Sequence, residues 1–447
     1  MIAWSIFAVG GVYVWAGAPL IAAAGILAAG FRPRIASNAE TQWLDWALVA
    51  SAVAVGLQLV PLPPSLLAAV SPQAEAIRSA LLLNPTTGGN LAWHPLSITP
   101  EWTAYALGLL LSAMLVFWTS RQLCAQGASR PLVVAVAIIG LVAAVLAIMQ
   151  QAKNPRLIYG IWSARDEGAR PFGPFVNRNH FATWIVMAFP LAAGYVVAGV
   201  SGRRPARHLA GEAAALLQSV GSITAWVGIA AAVMTVGLVA STSRSGLIAL
   251  AVSIVVGVLI GRHRLDRRTR VWGMLGVAVL VGIVLAYVNL QSVVSRIDET
   301  LAVGAGGRPR IWQETLGVVR DFWKTGTGFG SFQRSMLVYQ QMDRTVFVNQ
   351  AHNQYLQLLA EGGMLVAVPA LLALFGFVRL FWKRLPADPS PSAWLRIGGI
   401  TAMIAVAVQS CWETGLRMPA NGILFAVAAA VAVHRPAGVH PVREASE

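Results

Sequence analysis

His352 stands in Ala351-His352-Asn353-Gln354-Tyr355-Leu356, at the opening of a long apolar run. Histidine is the side chain that most readily takes a proton near neutral pH. Asn353 beside it is placed to orient a sugar hydroxyl or the imidazole itself. A lone histidine at a helix mouth also reads as an ordinary interfacial residue, and the residues alone leave both readings open. His180, in Asn177-Arg178-Asn179-His180, has a similar position and reads more as structural.

The arginines offer the complementary chemistry. Arg244 sits in Ser241-Thr242-Ser243-Arg244-Ser245-Gly246, between two apolar stretches with almost no loop to spare. A guanidinium at the edge of hydrocarbon needs a partner. The neighbouring hydroxyls can donate to the same anion, and a helix starting at Ser245 would aim backbone N–H groups at it. This describes a phosphate contact; snorkelling to lipid headgroups is the alternative. Gly304-Ala305-Gly306-Gly307-Arg308-Pro309-Arg310-Ile311-Trp312 is a glycine-rich approach to a helix with proline at its first position. Arg308 and Arg310 would then face the same way as the helix N-terminus, an anion geometry, with an ordinary loop as the alternative. No Walker-type lysine follows, which argues against nucleotide binding. No Asp-x-Asp pair exists to hold a divalent cation, so arginines rather than a metal are expected to stabilise a leaving diphosphate, and no cofactor is expected.

The elements that position these residues are membrane helices. Of 447 residues 57% are hydrophobic and 11% charged, against about 25% charged in soluble proteins. The apolar residues come in blocks near 20 long, the length that crosses a bilayer. The net charge is +15, and lysine occurs only at Lys153, Lys324 and Lys383. The arginine fork suits phosphate better than an ammonium does. Scattered between apolar blocks, the arginines form no basic domain, so nucleic acid is excluded as a partner. Cys124 and Cys411 show no disulfide or metal-ligand pattern. The N-terminus reads as a retained first helix rather than a signal peptide.

The expected fold is an all-α polytopic membrane protein with about 12 transmembrane helices and a large periplasmic loop late in the chain. Residues 1–289 form an N-terminal bundle with outside loops 61–100 and 151–179, residues 290–355 the large loop, and residues 356–447 the last helices and a short cytoplasmic tail. Block 2–30, interrupted by Gly17-Ala18-Pro19, reads as two short helices in a hairpin. Starting inside and alternating places Arg32, Arg34, Arg121, Arg130, Arg262, Arg264, Lys383, Arg384 and Arg435 in cytoplasmic loops or the tail, as the positive-inside rule requires. The outside loops still carry Arg156, Arg165, Arg170, Arg178, Arg296, Arg308 and Arg310, which topology does not explain. Loop 290–355 is also expected to hold an amphipathic helix near 309–324. Loops this long are usually functional.

Several segments together resemble the O-antigen ligase and polymerase superfamily. They are Gln58-Leu59-Val60-Pro61-Leu62-Pro63, Pro95-Leu96-Ser97-Ile98-Thr99-Pro100, Arg170-Pro171-Phe172-Gly173-Pro174-Phe175, Asn177-Arg178-Asn179-His180-Phe181, Ser243-Arg244-Ser245-Gly246, Gly307-Arg308 with Ile311-Trp312, Gly326-Thr327-Gly328-Phe329-Gly330, and His352-Asn353 with Tyr355 and Glu361-Gly362-Gly363. No single motif is specific; their order and their placement are. The resemblance implies a multi-pass enzyme of the bacterial inner membrane that takes a glycan from undecaprenyl diphosphate at the periplasmic face. It passes that glycan to an acceptor glycan or to lipid A–core, inverting the anomeric centre, without metal or nucleotide. Carried over by motif, Arg170, Arg244 and Arg308 would contact the diphosphate and His352 would assist the acceptor hydroxyl. Arg178, Asn179, Arg310 and Asn353 complete the expected substrate-binding set. Membrane lipids and polysaccharide export or assembly proteins are the other expected partners. Ligase and polymerase are not separated, and a transporter or flippase of lipid-linked saccharides is the rival from another class.

Overall fold

In hydrocarbon a chain must satisfy its backbone polar groups within itself, so isolated apolar blocks fold as helices. The computed structural model describes residues 1–81, 93–164, 169–201, 222–265, 307–341, 344–345 and 347–435, with single positions between 267 and 282. The expected apolar block at 272–289, the loop segment 290–306, Arg165 and Arg296 lie outside the described residues. Among those described, the helices are α1 (Ile2–Phe7), α2 (Val14–Phe31), α3 (Gln42–Leu57), α4 (Pro64–Val70), α5 (Ala74–Leu81), α6 (Pro100–Leu123), α7 (Ser129–Lys153), α8 (Arg178–Ser201), α9 (Ile223–Ala240), α10 (Arg244–Gly261), α11 (Arg308–Asp321), α12 (Phe332–Tyr339), α13 (Gln354–Arg384), α14 (Ala393–Gln409) and α15 (Pro419–Val433). The named strands form only two antiparallel ladders of two-residue strands, Pro61–Leu62 with His94–Pro95 and Leu157–Ile158 with Trp162–Ser163.

Among the described residues six helical stretches are long and apolar enough to cross a membrane: α2, the run Pro100–Lys153, α8, α9, α10 and α13. The run Pro100–Lys153 turns at Gly127, whose φ of +97° suits glycine, so α6 and α7 are separate helices. Helices α3, α14 and α15 are apolar but shorter. The chain is a multi-pass membrane protein.

The N-terminal block corrects the expected hairpin. Helix α2 runs straight through Pro19, and the break falls earlier, at Gly10 and Gly11 with φ of +66° and +74°. Helix α1 has six residues, about 9 Å, far short of a bilayer. The block therefore crosses once. Gly17 serves packing instead: the Tyr105 hydroxyl occupies the place where its Cβ would stand.

The bundle has two chemically different ends. At the basic end, fully buried Asp45 accepts both arms of Arg121 at 2.7 and 2.8 Å and the Trp118 indole N–H at 2.9 Å. Arg384 pairs with Glu40 at 2.7 Å, and Arg396 with Asp388 at 2.8 Å. At the other end, here the mouth, α4, α5, α11 and α12 form a cap with its own small core of Leu67, Ile77, Val318, Phe322, Phe332 and Met336. Helix α11 falls where the amphipathic helix was expected.

The cap is stitched into α13. That helix breaks at Gly363 (φ +54°, ψ −163°), and segment 323–328 takes over the freed backbone groups. Thr327 N–H donates to the Ala360 carbonyl (2.9 Å), Gly328 N–H to that of Glu361 (3.0 Å), and Met364 N–H to that of Trp323 (2.8 Å). The Gln58 amide donates to the carbonyls of Thr325 and Glu361, both at 2.8 Å.

Candidate functional site

Glu413 lies in the turn between α14 and α15 and is 1% exposed. A carboxylate so buried must be paired. Its Oε1 accepts from Asn179 Nδ2 at 2.6 Å and from Arg308 Nη2, while its Oε2 lies 3.5 Å from His352 Nδ1. Three candidate residues from three distant segments thus meet on one acid.

Each partner is delivered by a locally explained element. Arg308 opens α11, preceded by Gly307 and followed by Pro309. Asn179 lies in the first turn of α8, where its N–H donates to the Asn177 side chain at 2.8 Å. His352 has φ of +49°, a left-handed conformation that costs a non-glycine residue about 1–3 kcal/mol and persists only when its surroundings hold it. They do so on both sides. Trp312 Nε1 donates to the Ala351 carbonyl at 3.0 Å, and Ala351 N–H donates to Gln357 Oε1 at 3.0 Å. The side chains of His352 and Arg308 remain 28% and 39% exposed, so both keep a face toward solvent.

The other expected site residues divide. Asn353 is the N-cap of α13: its Oδ1 accepts from Tyr355 and Leu356 N–H at 3.0 Å each, and its Nδ2 donates to the Cys411 carbonyl at 3.2 Å. Its amide therefore fixes the backbone beside His352. Arg178 N–H donates to the Arg170 carbonyl at 3.0 Å, which brings exposed Arg170 next to the start of α8. The Arg178 guanidinium donates to Thr242 Oγ1 at 2.5 Å, tying that region to the turn before Arg244. Arg244 is exposed at the first position of α10, one residue earlier than the expected helix start. The Ser243 hydroxyl caps that helix, accepting from Gly246 N–H at 3.3 Å. Arg310 is exposed two residues beyond Arg308, a spacing that turns the two side chains to different faces of α11. His180 is 5% exposed, and its carbonyl accepts from Asn421 Nδ2 at 3.1 Å.

Beyond the 413–417 turn lies a cavity of about 530 Å³ whose walls include Trp102, Tyr105, Gln350, Gln354, Glu361 and Arg417. Glu361 is 4% exposed, accepts from Phe332 N–H at 3.1 Å and faces Arg417 at 3.6 Å. Thr414 Oγ1 donates to Gln350 Oε1 at 2.6 Å and joins this cavity's wall to the Glu413 turn. Among the described residues, no three His, Cys, Asp or Glu side chains gather as metal ligands.

A family model described as O-antigen ligase matches residues 229–369. Over that stretch, under a third of the chain, the sequence is similar to the O-antigen ligase family. No curated protein sequence matches the chain. The matched stretch contains Arg244, Arg308, Arg310, His352 and Glu361. Asn179 and Glu413, which complete the cluster, come from either side of it. Glu413 was legible by the argument used for Arg244: a charged residue in a very short turn between apolar helices needs a partner nearby.

Proposed function

We propose that the chain is a glycosyltransferase that moves an undecaprenyl-diphosphate-linked glycan onto an acceptor hydroxyl at the periplasmic face of the bacterial inner membrane. The observation that carries this reading is the convergence of Arg308, Asn179 and His352 on buried Glu413. A guanidinium and an imidazole held by one carboxylate supply an anion-binding group and a proton acceptor side by side. The O-antigen ligase match supports lipid-linked polysaccharide as the substrate class.

The acceptor oxygen attacks the anomeric carbon from the face opposite the diphosphate, and the bond from that carbon to the diphosphate oxygen breaks. Inversion follows, and undecaprenyl diphosphate leaves. Arg308, with Arg244 and Arg170 from the adjoining turns, stabilises the charge that grows on the leaving group. Glu413 faces His352 Nδ1, leaving Nε2 to take the acceptor's proton. Arg178 and Arg310 extend the basic surface for the donor, Asn179 holds its amide beside Arg308 on Glu413, and Asn353 fixes the backbone at His352. The acceptor is a second lipid-linked glycan or lipid A–core.

Transfer from purified lipid-linked glycan in detergent tests this. His352→Ala should lose about 10²–10⁴ in rate and Arg244→Ala about 10²–10³. Wild-type rates in both would end the proposal.

One observation favours a second reading, transport of a lipid-linked saccharide. Helix α13 is broken at Gly363, close to a cavity that Glu361 and Arg417 line, and broken helices mark transporter sites. Donor-dependent turnover in detergent, with no compartment to transport across, discriminates the two.

A further inference from the structure

The basic end holds a second cavity, of about 560 Å³, at the opposite end of the bundle from Glu413. Five guanidiniums line it: Arg32, Arg34, Arg121, Arg384 and Arg435. Two belong to the walls. Arg121 is locked on Asp45 by two hydrogen bonds, and Arg384 on Glu40 and the Val433 carbonyl; both arginines are buried. The Arg121–Asp45 pair is neutral, Glu40 serves both Arg384 and Lys383, and these contacts hold the cavity's shape. The other three are different. Among the described residues no carboxylate lies within ion-pair distance of Arg32, Arg34 or Arg435. Arg32 and Arg34 are exposed.

Three unneutralised guanidiniums around one concavity repel one another, and an anion between them removes that repulsion. The depth of the cavity identifies the source of the anion. Thr41 lines it, and α3 begins at the next residue. Trp43 and Trp46, in the first turns of α3, are 68% and 61% exposed, and Phe31 at the cavity rim is 44% exposed. Exposed tryptophans at a helix end mark the level of lipid headgroups. The volume lies within the range of small-molecule sites, and the three free charges match a headgroup with more than one phosphate.

We propose that this cavity seats the phosphate-bearing headgroup of an anionic membrane lipid, with a doubly anionic diphosphatidylglycerol preferred over a singly charged headgroup. Arg32, Arg34 and Arg435 hold the phosphates, and the acyl chains run along the apolar face beside Trp43. Basic pockets between membrane helices bind such headgroups in general. The assignment is independent of the glycosyl-transfer reading.

Native mass spectrometry of the full-length purified protein provides the test, with diphosphatidylglycerol, phosphatidylglycerol and phosphatidylethanolamine titrated separately. Thermal melts with each lipid, and with inorganic pyrophosphate, run alongside. Diphosphatidylglycerol should bind most tightly and raise the melting midpoint. Arg34→Ala with Arg435→Ala should weaken it about 25-fold, roughly fivefold per arginine, with the lipid-free midpoint unchanged. Arg34→Glu alone should weaken it as well, which covers a double variant that fails to fold, and His352→Ala should leave it intact. Equal lipid affinity in wild type and Arg34→Glu would overturn the proposal. So would stabilisation by pyrophosphate with none from lipid, which would make this a site for free phosphate.

Discussion

Replacing Glu413 with glutamine removes one charge and almost no volume. The substituted amide can still accept from Asn179, but Arg308 loses its counter-charge, and so does the imidazolium that forms when His352 takes the acceptor's proton in the proposed reaction. Unit charges 3.5 Å apart, the Glu413–His352 separation, attract by about 5 kcal/mol at an effective dielectric of 20. Water reaches both partners, whose side chains are 28% and 39% exposed, and takes back about half or more of that attraction. About 1.4–2.8 kcal/mol then remains, a 10- to 100-fold loss of rate. Because Glu413 acts by holding the imidazole and the guanidinium in register, the loss should fall on kcat more than on the donor KM. The assay is transfer from purified lipid-linked glycan across a donor titration, with gel filtration and a thermal melt to establish that Glu413→Gln is folded. A folded variant whose kcat and KM both stay within about threefold of wild type would refute the reasoning, because the geometry would then have no chemical consequence.

Two further outcomes follow from the rest of the bundle. Asp45→Asn should destabilise by about 3–5 kcal/mol, since it strands Arg121 in a buried site, and the detergent melting midpoint reads this; adding Arg121→Met should recover much of it. Burial, and then the hydrogen bond its hydroxyl donates to Asp321 at 2.6 Å, hold the Tyr339 pKa above the ordinary tyrosine value. The folded state therefore keeps a proton that the unfolded chain releases near pH 10. The resulting stability is complete below that pH and is lost as the pH rises through the folded value, so Tyr339→Phe should melt below wild type at pH 8 and approach it under strongly alkaline conditions.

Much of this was readable from the residues because it is local. Helix α11 follows from a glycine approach, a proline at the first turn and an amphipathic run. The crossing helices follow from block length. What escaped was non-local or a choice between two local rules. The short turn around Glu413 is legible, but its partners Asn179 and Arg308 lie 234 and 105 positions away along the chain, and no spacing rule reaches that far. Asn353 satisfies both a capping rule and a sugar-contact rule, and the backbone of α13 claims its side chain. The first block was assigned its break at proline, but membrane helices tolerate proline when neighbours cover the freed carbonyl. The left-handed Gly10 and Gly11 form the real interruption.

The break at Gly363 gives α13 two mechanical allegiances. Its first nine residues, Gln354–Gly362, are laced to segment 325–328 and to Gln58, Met364 and Leu365 just past the break donate to the carbonyls of Trp323 and Lys324, and the rest continues into the apolar bundle. His352 therefore rides with the cap. The bond from Trp312 to the Ala351 carbonyl ties α11 directly to the residue before His352. In the proposed enzyme, any displacement of α11 would therefore carry the imidazole with it.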